Sequence, residues 1–223
     1  EELAAAGDVD DIILYVNSPG GDPHTAQAIY SMLKRHKATV TVYVDGLAAS
    51  AASLVVMAGN KVIMPTNSLV MIHEARGITL GTADEMRESA DALERINAAM
   101  AVAYSEKSGK SQEDILAIMK AETWYTAEEA VAEGFADEVE GAKQIAASIS
   151  DNTLTINGRE VDIAAFSAFP KDKVTQTASV EQEPAEVEPE PVAEAEKPEP
   201  QAEAPAPDKS QERLRLLRLR ARL

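Results

Sequence analysis

The chain has three histidines and no cysteine, so nucleophilic chemistry falls to hydroxyls and general-base chemistry to few groups. Ser50 is the sharpest nucleophile. It stands where an apolar strand gives way to a helix-like stretch, and Gly46, Ala48, Ala49, Ala51 and Ala52 surround it. Small neighbours allow a tight turn and let a substrate approach the hydroxyl, and the N–H groups after it open a helix N-terminus, where negative charge is favoured. On type and position Ser50 is equally an ordinary N-cap, and Ser53, one turn on, reads as a small packing residue. His73 comes after the apolar strand Leu69-Val70-Met71-Ile72, so it reaches the same rim of an α/β sheet as Ser50, where ligands gather. It reads either as a structurally satisfied histidine or as the general base. His36, in Lys34-Arg35-His36-Lys37, reads as a solvated helix end, and His24, after Pro23, as a helix-start residue near a cleft mouth.

Two further features fit acyl transfer. Gly20-Gly21 comes after a strand but lacks phosphate-loop spacing. A backbone amide there would serve as an oxyanion donor, or the pair would serve a turn that needs positive φ. Glu122 lies in Ala121-Glu122-Thr123-Trp124-Tyr125, beside the one tryptophan. Glu129 is placed as the capping partner of Thr126, which leaves Glu122 as a carboxylate in an apolar segment that needs a partner, for which an imidazole is suited; a surface glutamate is the plain alternative.

The elements that must position these groups alternate. Ile12–Val16 is a near-continuous apolar run, as in a strand buried on both faces. A helix is predicted over 24–36, a strand over 39–44, a turn at Asp45-Gly46, and a short buried helix over 51–58 ended by Gly59. Strands are predicted next at 62–64 and 69–72. Thr82 with Glu85 makes a capping box for a long helix with an apolar stripe of Met86, Leu93, Ile96, Met100 and Tyr104. Ser111 with Asp114 and Thr126 with Glu129 open two more helices, the last ending at Gly134. Residues 153–166 predict a hairpin around Asn157-Gly158. The pattern is α/β.

Composition divides the chain. It holds 223 residues at net charge −17. Residues 181–208 carry nine glutamates, Asp208 and Lys197, and seven of eleven prolines; residues 209–223 carry Lys209, five arginines and Glu212. The first of these segments cannot bury enough apolar surface to offset its ordering entropy, so 171–208 reads as disordered. The basic end reads as a solvated tail, or as a segment docking electrostatically on an acidic surface, this protein's own body included. The acidic body argues against nucleic-acid binding. No apolar stretch approaches the ~18 residues of a membrane span, and no signal peptide is recognised.

Four segments together resemble the Clp protease proteolytic subunit family: Asn17-Ser18-Pro19-Gly20-Gly21, Gly46-Leu47-Ala48-Ala49-Ser50, the run Pro65 to His73, and Thr126 to Gly134. The resemblance covers roughly residues 8–140. It implies a ClpP/crotonase-like α/β fold of repeated ββα units with a long protruding helix. It also implies a serine endopeptidase with Ser50 as nucleophile and His73 as base, oxyanion amides on Gly21 and Ala51, and substrate-binding backbone at Gly20 and Gly46. Glu122 falls where the family has aspartate. No cofactor or metal is implied. The implied organisation is a peptidase domain over 1–168, an acidic linker over 169–208 and a basic segment over 209–223. The extension makes the chain similar to the head-maturation proteases of tailed phages, which implies scaffold or capsid proteins as substrates, and a setting in the bacterial cytoplasm or an assembling capsid. The family further implies a ring-forming homo-oligomer, and for housekeeping members an AAA+ unfoldase partner. Two competing readings are a crotonase-like acyl-CoA enzyme and a degenerate assembly or adaptor protein.

Overall fold

The computed structural model describes residues 9–141, 147–156, 159–173 and 216–221. The first strand, β1 (Asp11–Ser18), buries Ile12, Leu14, Val16 and Ser18, while the alternate residues are half-buried or exposed. The expectation of burial on both faces is therefore corrected. One face packs into the main core, and on the other Tyr15 stacks on Tyr43 at 5.4 Å, leaving a period of two. Asp22 caps the next helix, α1 (Pro23–Arg35), by accepting from Thr25 N–H, and Pro23 starts it without a donor to satisfy.

Strand β2 (Thr39–Ala49) runs parallel to β1, from Asp11 opposite Thr39 to Val16 opposite Val44. It does not turn at Asp45-Gly46 as expected. Gly46 takes φ 120°, the register against β1 slips between Val16 and Ser18, and the strand continues. The glycine is the bend at which β2 changes partner. Thr41–Tyr43 pair with β3 (Lys61–Pro65), and Leu47–Ala49 with β4 (Leu69–Ile72), both in parallel. Because β2 runs on to Ala49, helix α2 (Ala51–Val56) begins with only Ser50 between them.

The long helix α3 (Ala83–Ser108) carries the expected Thr82–Glu85 box at its start and left-handed Gly109 at its end. The expected stripe is buried only in the second half, at Met100 and Tyr104; Leu93 and Ile96 are half-buried and Met86 is exposed. The first half is exposed almost throughout. Helix α4 (Gln112–Lys120) is capped by Ser111, and α5 (Ala127–Ala132) by a second box, Thr126 with Glu129. Between them β5 (Thr123–Thr126) lies antiparallel to β4, Met71 opposite Trp124, and β6 (Glu138–Glu140) extends the sheet beyond β3.

The expected hairpin is larger than predicted: β7 (Ala147–Ser150), β8 (Thr153–Ile156) and β9 (Arg159–Asp162) form a three-stranded antiparallel sheet. Its turn residues Asn157 and Gly158 lie outside the described residues. Leu154, Ile156, Val161 and Ile163 make a second core against Leu47, Ala49, Leu69, Met71 and Trp124. Order continues past 168, the expected domain end: Phe169 meets Trp124 edge-on at 5.0 Å. The expectation of disorder over 171–208 falls, from 174 on, outside the described residues. In the basic end, the solvated-tail expectation is corrected for β10 (Leu216–Ala221), which pairs in parallel with β1, Asp11 opposite Leu216. The free edge of β1 offers unpaired backbone groups, and a strand satisfies them. The whole is the mixed α/β architecture expected.

Candidate active site

Ser50 is held at φ 55°, ψ −129°, and its side chain makes no capping hydrogen bond, so the N-cap reading is overturned. A β-carbon residue at positive φ is costly and persists only where its surroundings impose it. They do so here. Ser50 N–H donates to Met71 O of β4 at 3.0 Å, and Ser53 N–H and Ser53 Oγ both donate to Ser50 O, at 2.9 and 2.7 Å. Ser53 Oγ also meets Tyr104 Oη of α3 at 2.8 Å. Ser53 is therefore more than packing: it ties the turn to the long helix. The strained turn projects Ser50 Oγ to 2.7 Å from His73 Nε2.

His73 is placed by the end of β4 and by the two residues after it. Glu74 N–H donates to Met119 O at 3.2 Å, and Ala75 N–H to Asn97 Oδ1 at 2.8 Å. The imidazole is buried, 8% exposed, and Phe166 packs on it at 6.3 Å between centroids. Burial pushes its pKa below the ordinary value; the Arg76 charge adds to this and the Glu122 carboxylate opposes it. A buried neutral imidazole with Nε2 at hydrogen-bond distance from a serine hydroxyl has the geometry that general-base chemistry requires. Its other nitrogen, Nδ1, is buried with no hydrogen-bond partner among the described residues.

Glu122 is also buried, at 5% exposure, and sits at φ 51° where the chain enters β5. The structure does not give it the expected hydrogen bond with His73. It accepts instead from Arg76 Nη2, from Ser167 Oγ at 2.8 Å and from Ala168 N–H at 2.6 Å. Burial pushes its carboxyl up, but the Ala168 and Ser167 donors and the Arg76 guanidinium outweigh that and hold it below the usual range. A buried carboxylate needs such partners. Glu122 still lies within the electrostatic reach of His73.

Gly20, at φ 102°, stands against the serine turn: a β-carbon there would lie 2.7 Å from Ala49 O and 2.9 Å from Ala51 N. Gly21, Pro23, Ser50, Ala51, His73, Ala75, Arg76 and Met100 line one cavity. Gly21 and Ala51 thus border the space above Ser50, and neither N–H makes a hydrogen bond among the described residues. Gly46 is not in that lining; its part is the bend in β2. Pro23 reaches the cavity whereas the neighbouring His24 is outside its lining. His36 ends α1, and its Nδ1 accepts from Ala38 N–H. Arg76, Ser167 and Ala168 were not foreseen, and no motif marks them.

Residues 2–143 match the family model described as Clp protease. The chain belongs to the Clp protease family. It is 34% identical over 140 residues to the ATP-dependent Clp protease proteolytic subunit 1 of Leifsonia xyli subsp. xyli, covering 61% of this chain and 71% of that protein. It is also 34% identical over 141 residues to the ATP-dependent Clp protease proteolytic subunit of Streptococcus gordonii, covering 61% and 72%. The subunit of Bacteroides fragilis is 33% identical over 132 residues, covering 58% and 63%. Such relatives support a serine-type peptidase. The Clp match holds Ser50, His73, Arg76 and Glu122 but ends before Ser167 and Ala168. Among the described residues no helix is long and apolar enough to cross a membrane.

Proposed function

We propose that this Clp family member is a serine endopeptidase acting through Ser50, His73 and Glu122. Ser50 Oγ attacks the scissile carbonyl as His73 Nε2 takes its proton, and the N–H groups of Gly21 and Ala51 hold the oxyanion. Collapse gives an acyl-enzyme on Ser50, with His73 returning the proton to the leaving amine. Water, deprotonated by the same imidazole, then hydrolyses the ester. Glu122 offsets the charge of the imidazolium. The observation that carries this reading is the 2.7 Å contact between Ser50 Oγ and His73 Nε2 at a serine held with positive φ.

The Ser50→Ala variant is expected to lose fluorophosphonate labelling and casein cleavage while circular dichroism and melting temperature stay unchanged; undiminished labelling overturns the assignment. Turnover of an acyl-CoA by that variant would instead favour the crotonase-like reading.

A ring-forming homo-oligomer is part of the proposal, supported by apolar side chains exposed on and before the first half of α3: Ile78, Leu80 and Met86. We also assign the substrates to the scaffold or head proteins of a tailed phage, on the strength of the acidic and basic segments beyond the family match. Feeding by an AAA+ unfoldase is the alternative, since the relatives are named ATP-dependent. A second reading has its own support: with Nδ1 of His73 unpartnered among the described residues and Glu122 engaged elsewhere, the domain would be a degenerate assembly protein. Failure of the folded, full-length oligomer to cleave either casein or a co-expressed scaffold protein would decide for that reading.

A further inference from the structure

Two of the three groups that hold Glu122 come from outside the Clp match, which ends at residue 143. Ser167 and Ala168 come after the appended three-stranded sheet and donate to Oε2 and Oε1 respectively. Arg76 joins the two regions, since Nη2 donates to Glu122 Oε2 and Nη1 to Ala165 O at 2.5 Å. Phe166 stands between them, against His73 on one side and edge-on to Trp124 at 5.4 Å on the other. The segment is anchored at both ends. Ile163 is buried in the second core, and Lys173 Nζ donates to Trp124 O at 3.2 Å and pairs with Glu129 at 2.5 Å.

The acceptor count at Glu122 is informative. An ionised carboxylate has about four lone-pair directions. Arg76 and Ser167 use Oε2, and Ala168 uses one side of Oε1. The backbone N–H of Ser167 is a further donor to the carboxylate, so Arg76 and this segment between them satisfy it. In the tautomer whose Nε2 accepts from Ser50, the His73 proton lies on Nδ1, which is buried and has no hydrogen-bond partner among the described residues. Glu122 acts on the imidazole through its charge, which favours the protonated ring. A glutamate also has one more rotatable bond than an aspartate, so it needs more restraint to present a carboxylate to one ring atom.

We propose that the segment Ile163–Phe169 completes the active site of this chain, with Ser167, Ala168 N–H and Arg76 as positioning groups that keep Glu122 ionised and available to His73. Phe166 is the wall that fixes the imidazole. The proposal rests on the reading of Glu122 as the acid of the triad.

The test uses the full-length protein with fluorescein-casein and a fluorophosphonate as probes. Ser167 is exposed, so Ser167→Ala is expected to fold with an unchanged melting temperature. It lowers kcat, and the maximal labelling rate, about tenfold with KM nearly unchanged, the scale of one hydrogen bond to a charged group. The acidic limb of the pH–rate profile moves down, as it does in Glu122→Gln, because the carboxylate that favours the imidazolium is less well held. Ser167→Thr restores both. In the Glu122→Gln background, Ser167→Ala adds no further loss, since it acts through the group already removed.

The proposal is overturned if Ser167→Ala keeps wild-type kcat and pH profile while Glu122→Gln is impaired; the triad reading then survives alone. It is overturned equally if the two losses multiply, or if Ser167→Ala is more active, which would make the segment an inhibitory cover. An unimpaired Glu122→Gln removes the triad reading, and this proposal with it.

Discussion

At the scale of single residues, chemistry is set by where the charge on the imidazole is tolerated. His73 is buried against Phe166, and burial is the largest cause of its lowered pKa. A general base must be neutral, so activity is lost as pH falls through that pKa. The acidic limb of kcat/KM is therefore expected below the ordinary histidine value of 6.5. Phe166→Ala lets water return to the ring and moves the limb up, whereas Glu122→Gln removes the favourable carboxylate and moves it down. A pH profile of casein cleavage checks both signs, and movement of the two variants in the same direction would contradict them. The residue types on the rim already named Ser50 and His73. They did not name Arg76, because an arginine four positions after a strand has no local signature of its partner.

Among the elements, the informative one is β2. Its apolar alternation announced a strand, but Asp45-Gly46 looked like its end because that pair is common in turns. In the fold Gly46 is instead the bend through which one strand serves two sheet neighbours, and that carries the chain directly into the Ser50 turn. Capping signals proved more reliable. The Thr82–Glu85 and Thr126–Glu129 boxes both form where the spacing predicts, since they depend only on residues three apart. The Gly20 loop shows the opposite kind of constraint, a tertiary one. A β-carbon at Gly20 would meet Ala49 O and Ser50 Cβ, each at 2.7 Å, and would have to keep φ 102°. Gly20→Ala is expected to cost about 1–3 kcal/mol of stability. It should slow fluorophosphonate labelling at temperatures where the protein is still fully folded. Denaturant unfolding alongside labelling rates tests this, and unchanged labelling would detach the loop from the Ser50 turn.

For the whole molecule, the outer half of α3 and the stretch before it expose the apolar side chains on which the proposed oligomer rests. Ile78 and Leu80 are fully exposed and Met86 is 47% exposed, and burying each such side chain contributes about 1.5–3 kcal/mol. Replacing Leu80 and Met86 together by lysine is expected to shift the protein from an oligomer toward the protomer in light scattering, with the fold unchanged by circular dichroism. An unaltered assembly would place the interface elsewhere. The charge division also changes meaning at this scale. The net −17 concealed a basic end, and six residues of that end complete the edge of β1.

The sequence by itself determined the α/β class, the helices and their caps, the first strands, and the serine and histidine that meet. Each of these depends on periodicity or on neighbours a few positions apart, or on motifs whose order survives in one dimension. Only the tertiary structure decided that Ser50 is strained rather than capping, that β2 bends at Gly46, and that Glu122 is held by Arg76 and Ser167. Those partners lie 46 and 45 positions away in the chain. They meet because β5 lies against β4 and because the appended sheet buries its apolar face on Trp124, and long-range packing of that kind leaves no local pattern to read.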